Sequence, residues 1–191
     1  MRRIMLLVMS VLWLSQASAD VLDDNQIEAS KPMISQRDVS QDYHLGTGDR
    51  ISISVYGEDD MSMDLKIGKS GVVSFTYIGE VQLTGRTPSE IETEIEDRLR
   101  GDYVLNPMVT VSLESFRLFY IAGEVKLPNG YEYQPRMTVE QAIAMAGGFT
   151  DRADESDIRI RSGADSHLIE DVELTDPVKP GDTVIIEQSF F

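Results

Sequence analysis

The sequence predicts an α+β protein built from two small units, each combining short strands with one helix. Three observations predict it. Short stretches alternate apolar and polar residues with a period of two, as half-buried strands do. Two segments open on a threonine answered by Glu or Gln at the third position beyond it, the mark of a capped helix start. Turn clusters of Gly, Asn, Asp and Pro separate these elements.

Residues 20–42 are rich in Asp, Gln, Ser and Asn, and Asp23-Asp24 and Lys31-Pro32 add charge and a breaker. So little apolar surface cannot offset the entropy of ordering, which predicts a flexible leader. Order is expected from Tyr43. Leu45-Gly46-Thr47-Gly48-Asp49 reads as a turn, and Ile51, Ile53 and Val55 then alternate with Arg50, Ser52 and Ser54 as a strand. Glu58-Asp59-Asp60 lies in an acidic loop. Residues 65–68 and 72–75 read as strands on either side of a hairpin turn at Lys69-Ser70-Gly71, and Ile78-Gly79-Glu80-Val81 as a short extended piece. Thr87 caps a helix with Pro88 at its first position and Glu90 closing the capping box. Ile91, Ile95 and Leu99 share one face, and Gly101 supplies the left-handed stop. After Asn106-Pro107, the alternation of Val109, Val111 and Leu113 gives another strand. The first unit is therefore expected over 43–115.

The second unit is expected over 116–191. It starts with a strand over Phe119–Val125 that ends in a Gly turn. Pro128-Asn129-Gly130 reads as a turn before a short strand in which Tyr131 and Tyr133 flank Glu132. Thr138 and Gln141 form the second capping box, Val139, Ala142, Ile143 and Ala146 the helix's apolar face, and Gly147-Gly148 its end. An acidic loop holds Asp151, Asp154, Glu155 and Asp157. Ile158 and Ile160 alternate with Arg159 and Arg161, and Pro180-Gly181-Asp182 turns into a final strand, Thr183–Ile186.

The first residues carry an address. Arg2-Arg3 precede an apolar run to Leu14, and Ala17-Ser18-Ala19 before Asp20 is the small-residue pattern at which a secretory signal is cut. The run is shorter than the ~20 residues that span a bilayer, so residues 1–19 are expected to be a signal peptide cleaved between Ala19 and Asp20. The chain has no cysteine, so packing must hold the fold, and an acylated lipoprotein anchor is not expected. Its formal net charge is −16, and residues 1–19 include two arginines and no acid, so cleavage makes the remainder more acidic still. That balance argues against binding nucleic acid or an anionic membrane surface and favours solubility.

No catalytic constellation emerges. The two histidines, His44 and His167, lack the spacing of a zinc site. Neither acidic cluster matches a calcium loop, and solvated loops explain both better. Chance pairs among 33 acids carry no weight for sugar hydrolysis. Gly46-Thr47-Gly48 precedes a strand instead of opening a helix and has no lysine after it, so it is no phosphate loop. No cofactor or metal is expected. Tyr131 and Tyr133, read as exposed, could stack on sugar rings, although core or interface packing is the commoner use.

Residues 43–56, then Gly71, Ile78-Gly79-Glu80-Val81, Gly85-Arg86-Thr87-Pro88 and Asn106-Pro107 through Val111, resemble the polysaccharide biosynthesis/export domain, with Thr47 in place of the usual Pro. Ala122-Gly123-Glu124-Val125, Tyr131, Met137-Thr138, Ala142 through Gly148 and Pro180-Gly181-Asp182 resemble the soluble ligand-binding β-grasp (SLBB) domain. The resemblance makes Gly46, Gly48, Asp49, Gly71, Gly79, Pro88, Asn106, Pro107, Gly123, Gly147, Gly148, Gly181 and Asp182 structural landmarks. It implies a short periplasmic member of the family that exports polysaccharide without catalysis. Such a protein would form a homo-oligomeric ring between an inner-membrane polysaccharide co-polymerase and a separate outer-membrane barrel, with strand edges as natural subunit contacts. The alternative is a monomeric periplasmic saccharide-binding module.

Overall fold

A computed structural model describes residues 42–189. The signal segment, its Ala19–Asp20 junction and nearly all of the 20–42 leader lie outside these residues. Within them, the alternation after Asp49 forms β1 (Arg50–Val55), which sinks Ile51, Ile53 and Val55 and turns Ser52 and Ser54 outward. β1 is the centre of a three-stranded antiparallel sheet, between β2 (Met63–Lys66) and β5 (Val109–Ser115). α1 (Pro88–Leu99) lays Ile91, Ile95 and Leu99 against the same core, all fully buried. Each such side chain contributes roughly 1.5–3 kcal/mol of burial. The Thr87–Glu90 capping box is formed in both directions.

The 65–75 segment differs from the hairpin that the sequence suggests. β2 pairs with β1, while β3 (Val72–Phe75) pairs with β4 (Gly79–Gln82) in a separate two-stranded ribbon. The ladder to β1 extends past β2, because Ile67 N donates to Asp49 O and Gly48 N donates to Ile67 O. Gly71, at φ +70°, then turns the chain away. A Cβ there would press on the Thr84 side chain, and the Gly71 carbonyl accepts from Leu83 and Thr84 N–H.

β5 is an edge strand with its outer side closed by the protein's own helix. Glu92 Oε1 accepts from Val111 N at 2.8 Å, and Glu96 Oε1 accepts from Val109 N at 3.0 Å. The expectation that sheet edges are open contacts therefore fails at these positions of β5. Helical carboxylates occupy the donors that a partner strand would need.

The second core is built on β6 (Phe119–Gly123), β7 (Asn129–Tyr131), α2 (Val139–Met145), β8 (Ala153–Arg161), β9 (Leu168–Ile169) and β10 (Thr183–Gln188). The strand order is β7-β6-β10-β8-β9, with β10 inserted parallel to β6 and antiparallel to β8. Val139, Ala142, Ile143 and Ala146 pack on Phe119, Ile121, Ile158, Ile160, Val184 and Ile186. Three local expectations change. Asn129 and Gly130 belong to β7, because their pairing with Ile121 and Tyr120 extends the strand into the expected turn. Tyr133 lies beyond that strand. Asp154, Glu155 and Asp157 lie on β8, not in a loop, because Ala153 already pairs with Gln188. The result is the expected α+β architecture, a sheet-and-helix unit followed by a second one.

Candidate functional site

The two Gly-Asp turns fold alike. Gly46 N donates to Asp49 Oδ2 at 2.7 Å, while Asp49 N donates back to Gly46 O at 3.1 Å. Lys179 N donates to Asp182 Oδ2 at 2.9 Å, while Asp182 N donates back to Lys179 O at 3.1 Å. Each turn feeds directly into the central strand of its sheet, β1 or β10. Both carboxylates are buried, and such groups persist only when hydrogen-bonded. Their second oxygens reach across the fold. Arg117 N donates to Asp49 Oδ1 at 2.6 Å, and Gly163 N donates to Asp182 Oδ1 at 3.0 Å.

Arg117 joins the two turns. Its Nη1 donates to Asp49 Oδ2 at 3.1 Å and to the Tyr43 hydroxyl at 2.8 Å, and its Nε donates to Pro180 O at 3.1 Å. The Tyr43 hydroxyl donates onward to Asp49 Oδ2 at 2.8 Å. Burial, reinforced by the neighbouring Asp49 charge, pushes the Tyr43 hydroxyl well above its ordinary value and keeps it protonated. Space is tight: a Cβ at Gly46 would meet the guanidinium, and one at Gly181 would lie 2.9 Å from Nε. Phe116 packs edge-on between Tyr43 and Tyr133, with centroids 5.0 and 5.1 Å away.

This cluster is a clasp: Asp49 accepts four hydrogen bonds and Asp182 two, which tie the turns to Tyr43, Arg117 and Gly163. Among the described residues, no group of three or more His, Asp or Glu side chains converges to hold a metal.

The other landmarks are dispersed. Pro88 sits in the first turn of α1, and Gly147 and Gly148 end α2 at positive φ. Gly79 opens β4. Pro107 is buried and Asn106 exposed ahead of β5. Gly123 ends β6 where a Cβ would collide with the Ile186 carbonyl. Tyr131 and Tyr133 are half-buried and packed against the second core, which corrects their reading as exposed aromatics. Exposed apolar groups lie elsewhere, among them Tyr56, Leu105 and Met108 near the ends of β1 and β5, a stacked Tyr77–Tyr103 pair, and Tyr120 on β6. No local motif marks Arg117 in the sequence, although it is the only charged residue between Phe116 and Ala122, in an otherwise apolar and aromatic run.

The fold and the order of its parts agree with comparison to known proteins. Residues 37–114 match the polysaccharide biosynthesis/export protein family, and residues 118–167 match the SLBB domain. The chain therefore carries a polysaccharide biosynthesis/export domain followed by an SLBB domain. Exopolysaccharide production protein ExoF of Rhizobium meliloti is 30% identical over 127 residues, covering 60% of this chain and 30% of that protein. EPS I polysaccharide export outer membrane protein EpsA of Ralstonia solanacearum is 28% identical, covering 81% of this chain and 48% of its own length. Its counterpart in Ralstonia nicotianae is 29% identical, covering 63% and 39%. The chain thus spans less than half the length of these relatives. Among the described residues, no helix is long and apolar enough to cross a membrane.

Proposed function

We propose that the chain is a non-catalytic periplasmic component of a capsule or exopolysaccharide export machine. In this reading a signal peptide cut between Ala19 and Asp20 delivers it. Copies then assemble as a ring that passes polymer from an inner-membrane co-polymerase toward a separate outer-membrane barrel. The observation that carries the reading is the export domain followed by an SLBB domain, held together by the Arg117 clasp. The names of the relatives, which concern exopolysaccharide production and export, support the same direction.

Three measurements test it. A strain lacking the protein should keep making polymer but fail to release it. The secreted chain should begin at Asp20 and show a mass that is a fixed multiple of the protomer across concentrations. A persistent monomer would sink the ring. The monomeric saccharide-binding module stays as a second reading because α1 occupies the outer donors of Val109 and Val111, which removes one route to strand-to-strand assembly. A monomer that binds saccharide would favour it.

A further inference from the structure

α2 covers one face of the five-stranded sheet, and the register fixes what stands on the other. Tyr120 pairs with Gly130 on one side and Thr183 on the other, and Thr183 pairs with Arg161. Their strand neighbours Ile121, Val184 and Ile160 point into the core, so this row points away from it. Tyr120 is 49% exposed. A Cβ built on Gly130 would lie 2.9 Å from Tyr120 Cε1 and 3.1 Å from Cδ1, so the ring rests against the glycine backbone. Its other side faces solvent.

Charge on this face is unevenly satisfied. Arg159 is held by Asp157 and Glu187. Arg161 is exposed and, among the described residues, has no ion pair, in a chain of net charge −16. Tyr120 and Arg161 stand two strand spacings apart, roughly 10 Å. The row therefore offers an aromatic platform, a hydroxyl and a free guanidinium along a length that a short oligosaccharide covers. An amphipathic ring suits the apolar face of a pyranose, and a guanidinium fork suits a carboxylate.

We infer that this row, centred on Tyr120 and Arg161, is a contact surface for anionic sugar residues. The inference rests on the polysaccharide reading above and adds a site and a charge class to it. The test uses the secreted chain with oligogalacturonate and its fully methyl-esterified form as probes, monitored by titration and saturation-transfer NMR. Oligogalacturonate should bind and show contact with Tyr120. Arg161→Gln should weaken that binding at least tenfold and remove the preference over the ester. Tyr120→Ala should weaken both probes. Gly130→Ala should weaken both as well, by lifting the ring, with the melting temperature little changed. Absence of oligogalacturonate binding, or variants that bind as the wild type does, would overturn the inference. So would a Tyr120→Ala change in oligomeric mass with saccharide binding intact, since the face would then be a contact between copies. Full polymer release by a Tyr120→Ala/Arg161→Gln strain would also overturn it while leaving the export reading standing.

Discussion

A half-buried arginine between two carboxylate-stapled turns is a costly arrangement unless every partner stays in place. Removing one member of a buried pair leaves the other uncompensated, at about 3–5 kcal/mol. Asp49 is fully buried and the Arg117 side chain 21% exposed, so Arg117→Ala should fall toward the lower end of that range in chemical denaturation. Arg117→Lys should recover only part of the loss, since lysine cannot serve Tyr43, Asp49 and Pro180 from a planar fork. Equal stability of Arg117→Ala and wild type would show that the clasp contributes nothing. Tyr43 yields a prediction in pH. Its hydroxyl titrates higher in the folded state than the ordinary value near 10, so above about pH 10 the unfolded chain loses a proton that the folded chain keeps. Stability should decline as pH rises through that region. Tyr43→Phe should make the decline shallower, although Tyr133, also raised by burial, keeps some of it.

At the scale of elements, local chemistry was readable and pairing was not. Both capping boxes form as their spacing implies, because the bonds involved close within three residues. The apolar faces of β1, α1 and α2 follow the same logic. The partnership of β2 with β1, and the insertion of β10 beside β6, depend on contacts between residues far apart in the chain, which periodicity does not encode. The site divides in the same way. Asp49 and Asp182 stood out through their turns, while Arg117 and Tyr120 had no local pattern to mark them. The closure of the β5 edge has no local mark either, since the spacing of Glu92 and Glu96 within α1 does not show which strand they meet. Replacing both with Ala should leave the Val109 and Val111 amides open. Their hydrogen exchange should accelerate, stability should fall by about 1–3 kcal/mol, and the exposed edge should promote self-association measurable by light scattering. Unchanged exchange at those amides would mean that the carboxylates do not guard the edge.

At the scale of the molecule, two cores of comparable make-up meet through a very short connection. The first ends with β5 at Ser115 and the second begins with β6 at Phe119. A connection so short would by itself let each core unfold alone. What couples them is the set of bonds that Arg117 makes to Asp49 on one side and to Pro180 on the other, with Tyr43, Phe116 and Tyr133 packed edge-to-face alongside. Asp49 and Asp182 also anchor the central strands, so loss of the clasp loosens each sheet at its origin. The wild type should therefore melt in one calorimetric transition, with calorimetric and van't Hoff enthalpies equal. Arg117→Ala should separate or broaden that transition until the two enthalpies disagree. Core signals from Ile51 and Ile53 should then be lost at a different temperature from those of Val184 and Ile186. A variant that still melts in a single two-state step, only at lower temperature, would show that the clasp adds stability without coupling the cores. The stiffness of the protomer would then come from contacts outside this junction.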